Sequence, residues 1–200
     1  MQSLWIFLIL LTLTYLVSGI PFGLIYAKIF KNIDVRKVGS GNIGATNVLR
    51  AAGIKVALLT ALSDILKALI PVLLIRKWFS NPYYPYITWL IAISGHCFSP
   101  FLKFKGGKGV ATFFGGLLAL HFKTAAITFL VWLVIIVVSK YVSLGSMISV
   151  LVPALYSIIF RRPPLETIIL FIAATVIIFR HKDNIYRLLK GTENKINLKR

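Results

Sequence analysis

The sequence predicts an all-α integral membrane protein, a bundle of seven transmembrane helices of which several are short. Of its 200 residues, 58% are hydrophobic and only 14% are charged, against roughly 45–50% and about 25% in typical globular domains. The mean hydropathy of +0.86 indicates that much of the chain faces lipid. The charges are unbalanced, with 23 Lys and Arg against 5 Asp and Glu. An apolar chain with excess cations fits a membrane protein with a cationic aqueous face.

The same composition excludes several classes of function. A nucleic-acid-binding domain can be equally basic, but its Lys and Arg would not be separated by long apolar runs, so we expect no nucleic-acid partner. The single Cys97 cannot form an intrachain disulfide. With three scattered His and no Cys pair, we expect no dedicated metal site.

Seven apolar segments define the predicted helices. A helix that crosses the hydrocarbon core needs roughly 20 residues, and the fourth, fifth and seventh segments are shorter. Short helices with polar ends suit a water-filled recess at one face, because irregular backbone at that depth must face water or protein. The segments run over Leu4–Tyr26, Val56–Ile75, Tyr84–Leu102, Val110–Leu120, Thr124–Ser139, Leu144–Phe160 and Leu165–Phe179.

The distribution of Lys and Arg predicts an N-terminus outside and a C-terminus inside. An odd number of spans places the termini on opposite sides, and cytoplasmic loops carry the excess of Lys and Arg. With this orientation most basic residues fall in the inside loops and the C-terminal tail. The outside loops hold only Arg76, Lys77, Lys123, Arg161 and Arg162.

Three polar segments interrupt the apolar sequence: the first at residues 38–50, the second at 95–112 and the third at 180–193. The predicted orientation places all three on the inside face. We therefore expect them to meet in one cationic hollow at that face.

The first polar segment has the composition of an anion-binding loop. Gly39, Gly41 and Gly44 match G-x-G-x-x-G, but that spacing indicates dinucleotide binding only within a βαβ unit, for which seven spans leave no room. Glycines let backbone N–H groups crowd around an anion, and Arg50 can grip a phosphate with two hydrogen bonds. The alternative is a loop that merely turns the chain. The hydroxyl and amide donors of the segment are Ser40, Asn42, Thr46 and Asn47.

The second polar segment contains Lys105-Gly-Gly-Lys-Gly109 immediately before an apolar segment. A helix N-terminus with a lysine beside it is a ready anion site. The stretch is not a Walker A loop, because Gly109 stands where Ser or Thr should follow Lys108. The alternative is that these lysines only orient the chain at the membrane boundary, which leaves the glycines unexplained.

In the third polar segment, His181 and Asn184 lie three residues apart, on one face if the last helix continues that far, with Arg187 a turn further. Histidine suits proton transfer near neutral pH, although a structural role for His181 is the alternative. Among so many cations, Glu193 is expected to anchor an ion pair.

Two charges, Asp64 and Lys67, lie inside the second apolar segment at a spacing that allows them to pair. Ionisable groups within a membrane are costly and rarely face lipid. Two interpretations stay open: the pair serves the structure alone, or it supports the hollow expected at the inside face. Ser143 and Ser146 open the sixth segment and either donate to an anion or cap the helix.

The three polar segments closely resemble the signature motifs of bacterial acyl-phosphate:glycerol-3-phosphate acyltransferases, integral membrane enzymes of phospholipid synthesis. The resemblance covers nearly the whole chain. Two departures, in Asp64-Ile-Leu-Lys67-Ala68 and Ser18-Gly-Ile-Pro21, lie outside the three motifs. The matching stretches are 40–47 with Arg50, 106–112, and His181-x-x-Asn-Ile-x-Arg187 with Gly191 and Glu193.

The resemblance implies a single acyltransferase domain over residues 1–200, in the inner membrane of a bacterial cell with its active site facing the cytoplasm. It implies acyl phosphate and glycerol 3-phosphate as substrates and lysophosphatidate and inorganic phosphate as products. No cofactor is implied, the only further partner is membrane lipid, and the oligomeric partner is left undetermined.

The resemblance also implies residue roles. Ser40, Arg50, His181 and Asn184 are expected to be catalytic, with either His181 or the donor's own phosphate as proton acceptor. The expected phosphate-binding residues are Gly41, Asn42, Thr46, Asn47, Lys105, Gly106, Gly107, Lys108 and Gly109. Expected supporting residues are Asp64, Lys67, Ser143, Arg187 and Glu193.

Three other classes of protein fit the sequence less well. Thioester-dependent glycerol-phosphate acyltransferases resemble one another through His-x-x-x-x-Asp, whereas no Asp stands five residues after His96, His121 or His181. An organic-anion transporter would favour inverted repeats and broken midplane helices, while these polar segments gather at one face. A basic scaffold for anionic lipid leaves the glycines unexplained.

Overall fold

A computed structural model describes residues 4–196 of the chain. Within that range the protein forms eleven α-helices and no β-strand, as the composition predicts. The helices fall into two compact units, whose boundary in the sequence lies between Leu120 and His121.

The first unit is built around one long central helix. This helix, α4, packs against α5 and α6, and α1 packs against α5. The helices of the unit are α1 (Leu4–Gly19), α2 (Phe22–Lys31), α3 (Ala45–Ala52), α4 (Ile54–Trp78), α5 (Tyr84–Cys97) and α6 (Val110–Leu120).

The short helix α6 approaches both α4 and α5 closely because it carries two adjacent glycines. Gly115 lies against the main chain of Ile65 in α4, and Gly116 lies against the indole of Trp89 in α5, with no room for a Cβ at either position. Such small residues let helix backbones approach in membrane bundles. The Trp89 Nε1–H donates to the carbonyl of Phe113 at 2.9 Å, which fixes α5 to α6 near the start of the latter.

The second unit contains five helices. The first of them, α7, packs against α8 and α9, and α10 packs against α9 and α8. They are α7 (Phe122–Ser139), α8 (Val142–Ser149), α9 (Val152–Ile159), α10 (Pro164–Arg180) and α11 (Lys182–Leu189).

The apolar helices identify a multi-pass chain. Four helical stretches are long and apolar enough to cross a membrane, and the bent pair formed by α10 and α11 would make a fifth. The prediction of seven spans, and that of the side on which each terminus lies, stay predictions. The four stretches are Leu4–Lys31, Ile54–Trp78, Phe122–Ser139 and Val142–Ile159.

Several predicted helices are broken in the structure. The first is interrupted at Ile20–Pro21, and the third ends at Cys97, followed by a 3₁₀ turn at Pro100–Leu102. The last predicted helix does not continue through Asn184: α10 ends at Arg180, and α11 follows at an angle of 59°.

The bend between α10 and α11 has a local cause at His181. The His181 main-chain N–H donates to the carbonyl of Ile178, three residues back. The carbonyl of Ile177, which a continuing helix would pair with that N–H, is instead bonded to the His181 ring at Nδ1, 2.8 Å away. The side chain therefore takes the place of a main-chain donor, and the helix stops.

Candidate active site

The first polar segment is a folded part of the first unit. Its second half forms the amphipathic helix α3, where a loop was expected. Val35, Ile43 and Val48 are buried in a core shared with α2 and the start of α4. The glycines therefore lie in a folded turn whose neighbours are buried, although Gly39 and Gly41 themselves are exposed.

Asn47 holds this segment in shape. Its Oδ1 accepts the main-chain N–H of Ser40 at 2.9 Å. Its Nδ2 donates to the carbonyls of Val35, Val38 and Asn42 at 2.9, 3.0 and 2.9 Å. Both amide protons are thus committed to main-chain carbonyls, which leaves the amide no donor for a ligand.

Two glycines and an asparagine lead the chain into α3. Gly39 and Gly41 have φ values of +58° and +68°, which L side chains rarely adopt. The Asn42 Oδ1 accepts the Gly44 N–H at 2.8 Å, and α3 begins one residue later. Ser40 and Thr46 are half-buried on either side of this turn.

Arg50 lies apart from that turn, in the last turn of α3, where its side chain is exposed. The five polar side chains that the sequence singled out in this segment thus lie in two places. Ser40 and Asn42 lie in the turn before α3, whereas Thr46, Asn47 and Arg50 lie on α3 itself.

The stretch Lys105–Gly109, which we term the glycine loop, connects a 3₁₀ turn to α6. Its first two glycines lie against the end of α5, where the N–H of Gly106 donates to the Cys97 carbonyl at 3.1 Å and that of Gly107 to the His96 carbonyl at 3.0 Å. A Cβ on Gly106 or Gly107 would overlap His96. These positions therefore require glycine.

The glycine loop leads directly into the N-terminus of α6, as the sequence predicted. Gly109 has a φ of +81°, and α6 begins at Val110. Thr112, in the first turn of α6, is fully buried, and its Oγ1 has no hydrogen-bond partner among residues 4–196. Lys108 is half-buried and Lys105 is exposed.

A cluster of ionisable side chains is buried behind the glycine loop. The predicted pair forms, with Lys67 Nζ 2.7 Å from Asp64 Oδ1. His96 joins it, because its Nδ1 lies 2.6 Å from Lys67 Nζ. No role was expected for His96 from the sequence. Its place within the second polar segment was the only available signal, since Lys67 lies 29 residues away.

In the second unit, Glu193 is the centre of a hydrogen-bond network. Its Oε1 accepts from Ser143 Oγ at 2.9 Å and from Asn184 Nδ2 at 2.7 Å. Its Oε2 pairs with Arg187 Nε at 2.7 Å. Partial burial alone would raise the pKa of Glu193, but the hydrogen bonds from Asn184, Arg187 and Ser143 outweigh it and hold the pKa below its usual value. The carboxylate is therefore ionised at neutral pH.

Neither predicted serine cap forms. Tyr141 is the N-cap of α8, and no side chain caps that helix. Ser143 instead donates to Glu193, and Ser146 donates to the Val142 carbonyl one turn back. Both serines lie inside the helix rather than at the cap position, which is why the capping expectation fails.

His181 and Asn184 are both buried next to this network. The His181 Nδ1 lies 2.8 Å from the Ile177 carbonyl, which can only accept, so Nδ1 carries the proton. In the neutral ring, Nε2 is then the basic nitrogen. The Asn184 Oδ1 is buried and has no hydrogen-bond partner among residues 4–196. The expectation that all three polar segments meet in one hollow stays a prediction.

Comparison with known proteins assigns the chain to a family. A family model described as glycerol-3-phosphate acyltransferase matches residues 8–191. The glycerol-3-phosphate acyltransferase of Thermotoga petrophila is 42% identical over 194 residues, which cover 97% of each chain. That of Ehrlichia chaffeensis is 39% identical over 191 residues, 95% of this chain and 96% of its own.

Solved structures give the same answer. PlsY (YgiH), an integral membrane glycerol 3-phosphate acyltransferase, matches in its glycerol 3-phosphate form with a TM-score of 0.91, at 40% identity and with 96% of both chains covered. Its lysophosphatidic acid form matches with a TM-score of 0.88 at 38% identity, over 96% of this chain and 95% of that one. The resemblance seen in the three polar segments is confirmed: the chain belongs to the glycerol-3-phosphate acyltransferase family.

Proposed function

We propose that this protein transfers a fatty acyl group from an acyl phosphate to the sn-1 hydroxyl of glycerol 3-phosphate. The hydroxyl oxygen attacks the acyl carbonyl carbon, a new ester bond forms, and the bond from that carbon to the phosphate oxygen breaks. The hydroxyl proton passes to a base, and the products are lysophosphatidate and inorganic phosphate. This is the first acylation step of phospholipid synthesis.

The arrangement that carries this proposal is the glycine loop at the N-terminus of α6. The N–H groups of Gly106 and Gly107 are bonded to the end of α5, so it is the N-terminus of α6 together with Lys108 that suits a phosphate, and we assign these two to glycerol 3-phosphate. The solved structures of PlsY support glycerol 3-phosphate as the acyl acceptor, since they are described as its glycerol 3-phosphate form and its lysophosphatidic acid form.

The first polar segment is proposed to orient the phosphate of a substrate. Ser40, Thr46 and Arg50 supply a hydroxyl, a hydroxyl and a guanidinium, and Arg50 can offset charge on a leaving phosphate. Gly41, Asn42 and Asn47 act indirectly, because the hydrogen bonds of both asparagines shape the turn before α3.

An acyl phosphate is a mixed anhydride with a good leaving group, so direct attack by a positioned hydroxyl needs no covalent intermediate. We propose His181 Nε2 as the base, with the donor's phosphate dianion as the alternative. Asn184 and Glu193 hold the third polar segment together beside it.

We further propose that residues 1–200 act as a single domain in the inner membrane, with the N-terminus outside and the active site facing the cytoplasm. An acyl phosphate brings both an apolar chain and a phosphate to the enzyme. Apolar helices with a cationic inner face provide for each part of that substrate.

The reaction is tested with purified protein in detergent, labelled glycerol 3-phosphate, and acyl phosphate, acyl-coenzyme A or acyl-carrier protein as donor. We expect lysophosphatidate and inorganic phosphate in equal amounts with acyl phosphate, and no product with either thioester. Product from a thioester at the same rate would contradict the proposed donor. No product from any donor would favour an anion transporter.

Replacing Lys108 by Ala is expected to raise the KM for glycerol 3-phosphate about 10- to 100-fold, the loss expected for one hydrogen bond to a charged group. The matched control is Lys103→Ala, which removes an exposed lysine of the same polar segment. If these lysines served only to orient the chain in the membrane, both variants would behave alike. An unchanged KM in Lys108→Ala would refute the assignment of the loop.

A further inference from the structure

The buried cluster of Asp64, Lys67 and His96 has no task in the mechanism above. Each of the three residues is 5% exposed or less. Burying ionisable groups in an apolar bundle costs free energy, and apolar residues of similar volume often pack as well or better. Stability alone therefore does not account for the cluster, and its position behind the glycine loop suggests what it does.

The contacts of Lys67 fix where the proton of His96 lies. Lys67 Nζ lies 2.7 Å from Asp64 Oδ1 and 2.6 Å from His96 Nδ1. An ammonium group beside a carboxylate donates hydrogen bonds and accepts none. His96 Nδ1 must therefore accept, so the ring is neutral and its proton is on Nε2.

The opposite side of the same ring faces the glycine loop. The atom that a Cβ on Gly107 would meet first is His96 Nε2. The main-chain carbonyl of His96 also accepts the Gly107 N–H at 3.0 Å. His96 thus contacts this glycine through both its side chain and its backbone.

We propose that His96, held by Lys67 and Asp64, is a positioning residue for the glycine loop. The Nε2 edge of its ring and its carbonyl set the backbone of Gly107, and so the direction in which the loop presents Lys108 and enters the N-terminus of α6. This inference rests on the proposed assignment of the loop to glycerol 3-phosphate. Because His96 orients the binding loop without contacting the reacting atoms, its loss should weaken acceptor binding and leave the chemical step intact.

Two substitutions at His96 separate the two ends of the ring. In His96→Asn the amide can still accept from Lys67 but is too short to reach Gly107, whereas in His96→Gln an amide N–H can reach the position of Nε2. We expect His96→Asn to raise the KM for glycerol 3-phosphate about tenfold, as misplacement of a binding group does. The KM of His96→Gln should lie close to that of the wild type. In both variants kcat should change by less than about threefold.

Lys67→Arg tests the other half of the cluster. It keeps a positive charge opposite Asp64 but replaces the compact ammonium group by a planar guanidinium, which cannot donate to His96 Nδ1 in the same geometry. The KM for glycerol 3-phosphate should therefore rise in this variant too. The control is Ile75→Ala, which removes buried apolar atoms from α4 next to Arg76, whose side chain bonds to the last turn of α6, away from the loop. It should lower the unfolding temperature and leave the KM unchanged.

Three results would overturn the role of His96: a wild-type KM in His96→Asn, an equal rise in KM in His96→Gln, or an equal rise in KM in Ile75→Ala. The Lys108→Ala variant separates this failure from that of the proposed function. If Lys108→Ala raises the KM while His96→Asn does not, the loop assignment stands and only the role of His96 falls. If neither variant raises the KM, both the assignment of the loop and the role of His96 are refuted.

Discussion

Replacing His181 by Ala is expected to lower kcat for acyl transfer by roughly 10²- to 10⁴-fold, the usual contribution of a general base. The reason is the state of the buried ring. The Ile177 carbonyl holds the proton at Nδ1, so Nε2 is the nitrogen that can take a proton from the attacking hydroxyl. The measurement is initial rate at saturating acyl phosphate and glycerol 3-phosphate.

Because the His181 side chain also ends α10, a structural effect must be separated from a catalytic one. His181→Asn provides this, since an amide N–H can still bond to the Ile177 carbonyl but offers no basic nitrogen. It should be as inactive as His181→Ala while retaining a wild-type unfolding temperature. His121→Ala removes a histidine of the same unit that pairs with Glu166 and should retain activity. A loss of less than about tenfold in folded His181→Asn would assign the proton to the donor phosphate.

The sequence predicted the helical class and most helix positions, because long apolar runs between basic loops leave few alternatives in a membrane protein. It did not predict where helices break. The end of α10 depends on a ring nitrogen that competes for one carbonyl, and the helix α3 appears where glycines and polar residues suggested a loop. Hydropathy averages over many residues and does not register a single such hydrogen bond.

The polar residues themselves could be singled out in the sequence, but the contacts that each of them makes could not be predicted from it. Asn47 was expected to bind phosphate, but it holds three main-chain carbonyls. Ser143 was a candidate helix cap, but it donates to Glu193, 50 residues away. Contacts between residues far apart in sequence leave no spacing pattern. His96 was overlooked for the same reason.

A second large effect is expected from Asp64→Asn, which leaves the buried Lys67 without its counter-charge. Breaking a buried ion pair from one side typically costs about 3–5 kcal/mol, and here the two side chains are only 3% and 2% exposed. We therefore expect a large fall in the free energy of unfolding, measured in detergent. The same substitution in an exposed pair, Asp34→Asn opposite Arg36, should change stability little because water already screens those charges.

The double variant Asp64→Leu with Lys67→Met decides whether the pair stabilises the fold or only avoids an unpaired charge. Replacing both partners by apolar residues removes the desolvation cost together with the attraction, so stability should recover to near that of the wild type. The KM of the double variant for glycerol 3-phosphate should nevertheless be higher than that of the wild type, because His96 would have lost the donor that orients it. A wild-type KM in this stable double variant would mean that the charges serve packing alone. Wild-type stability in Asp64→Asn would mean that the pair is not buried as the structure has it.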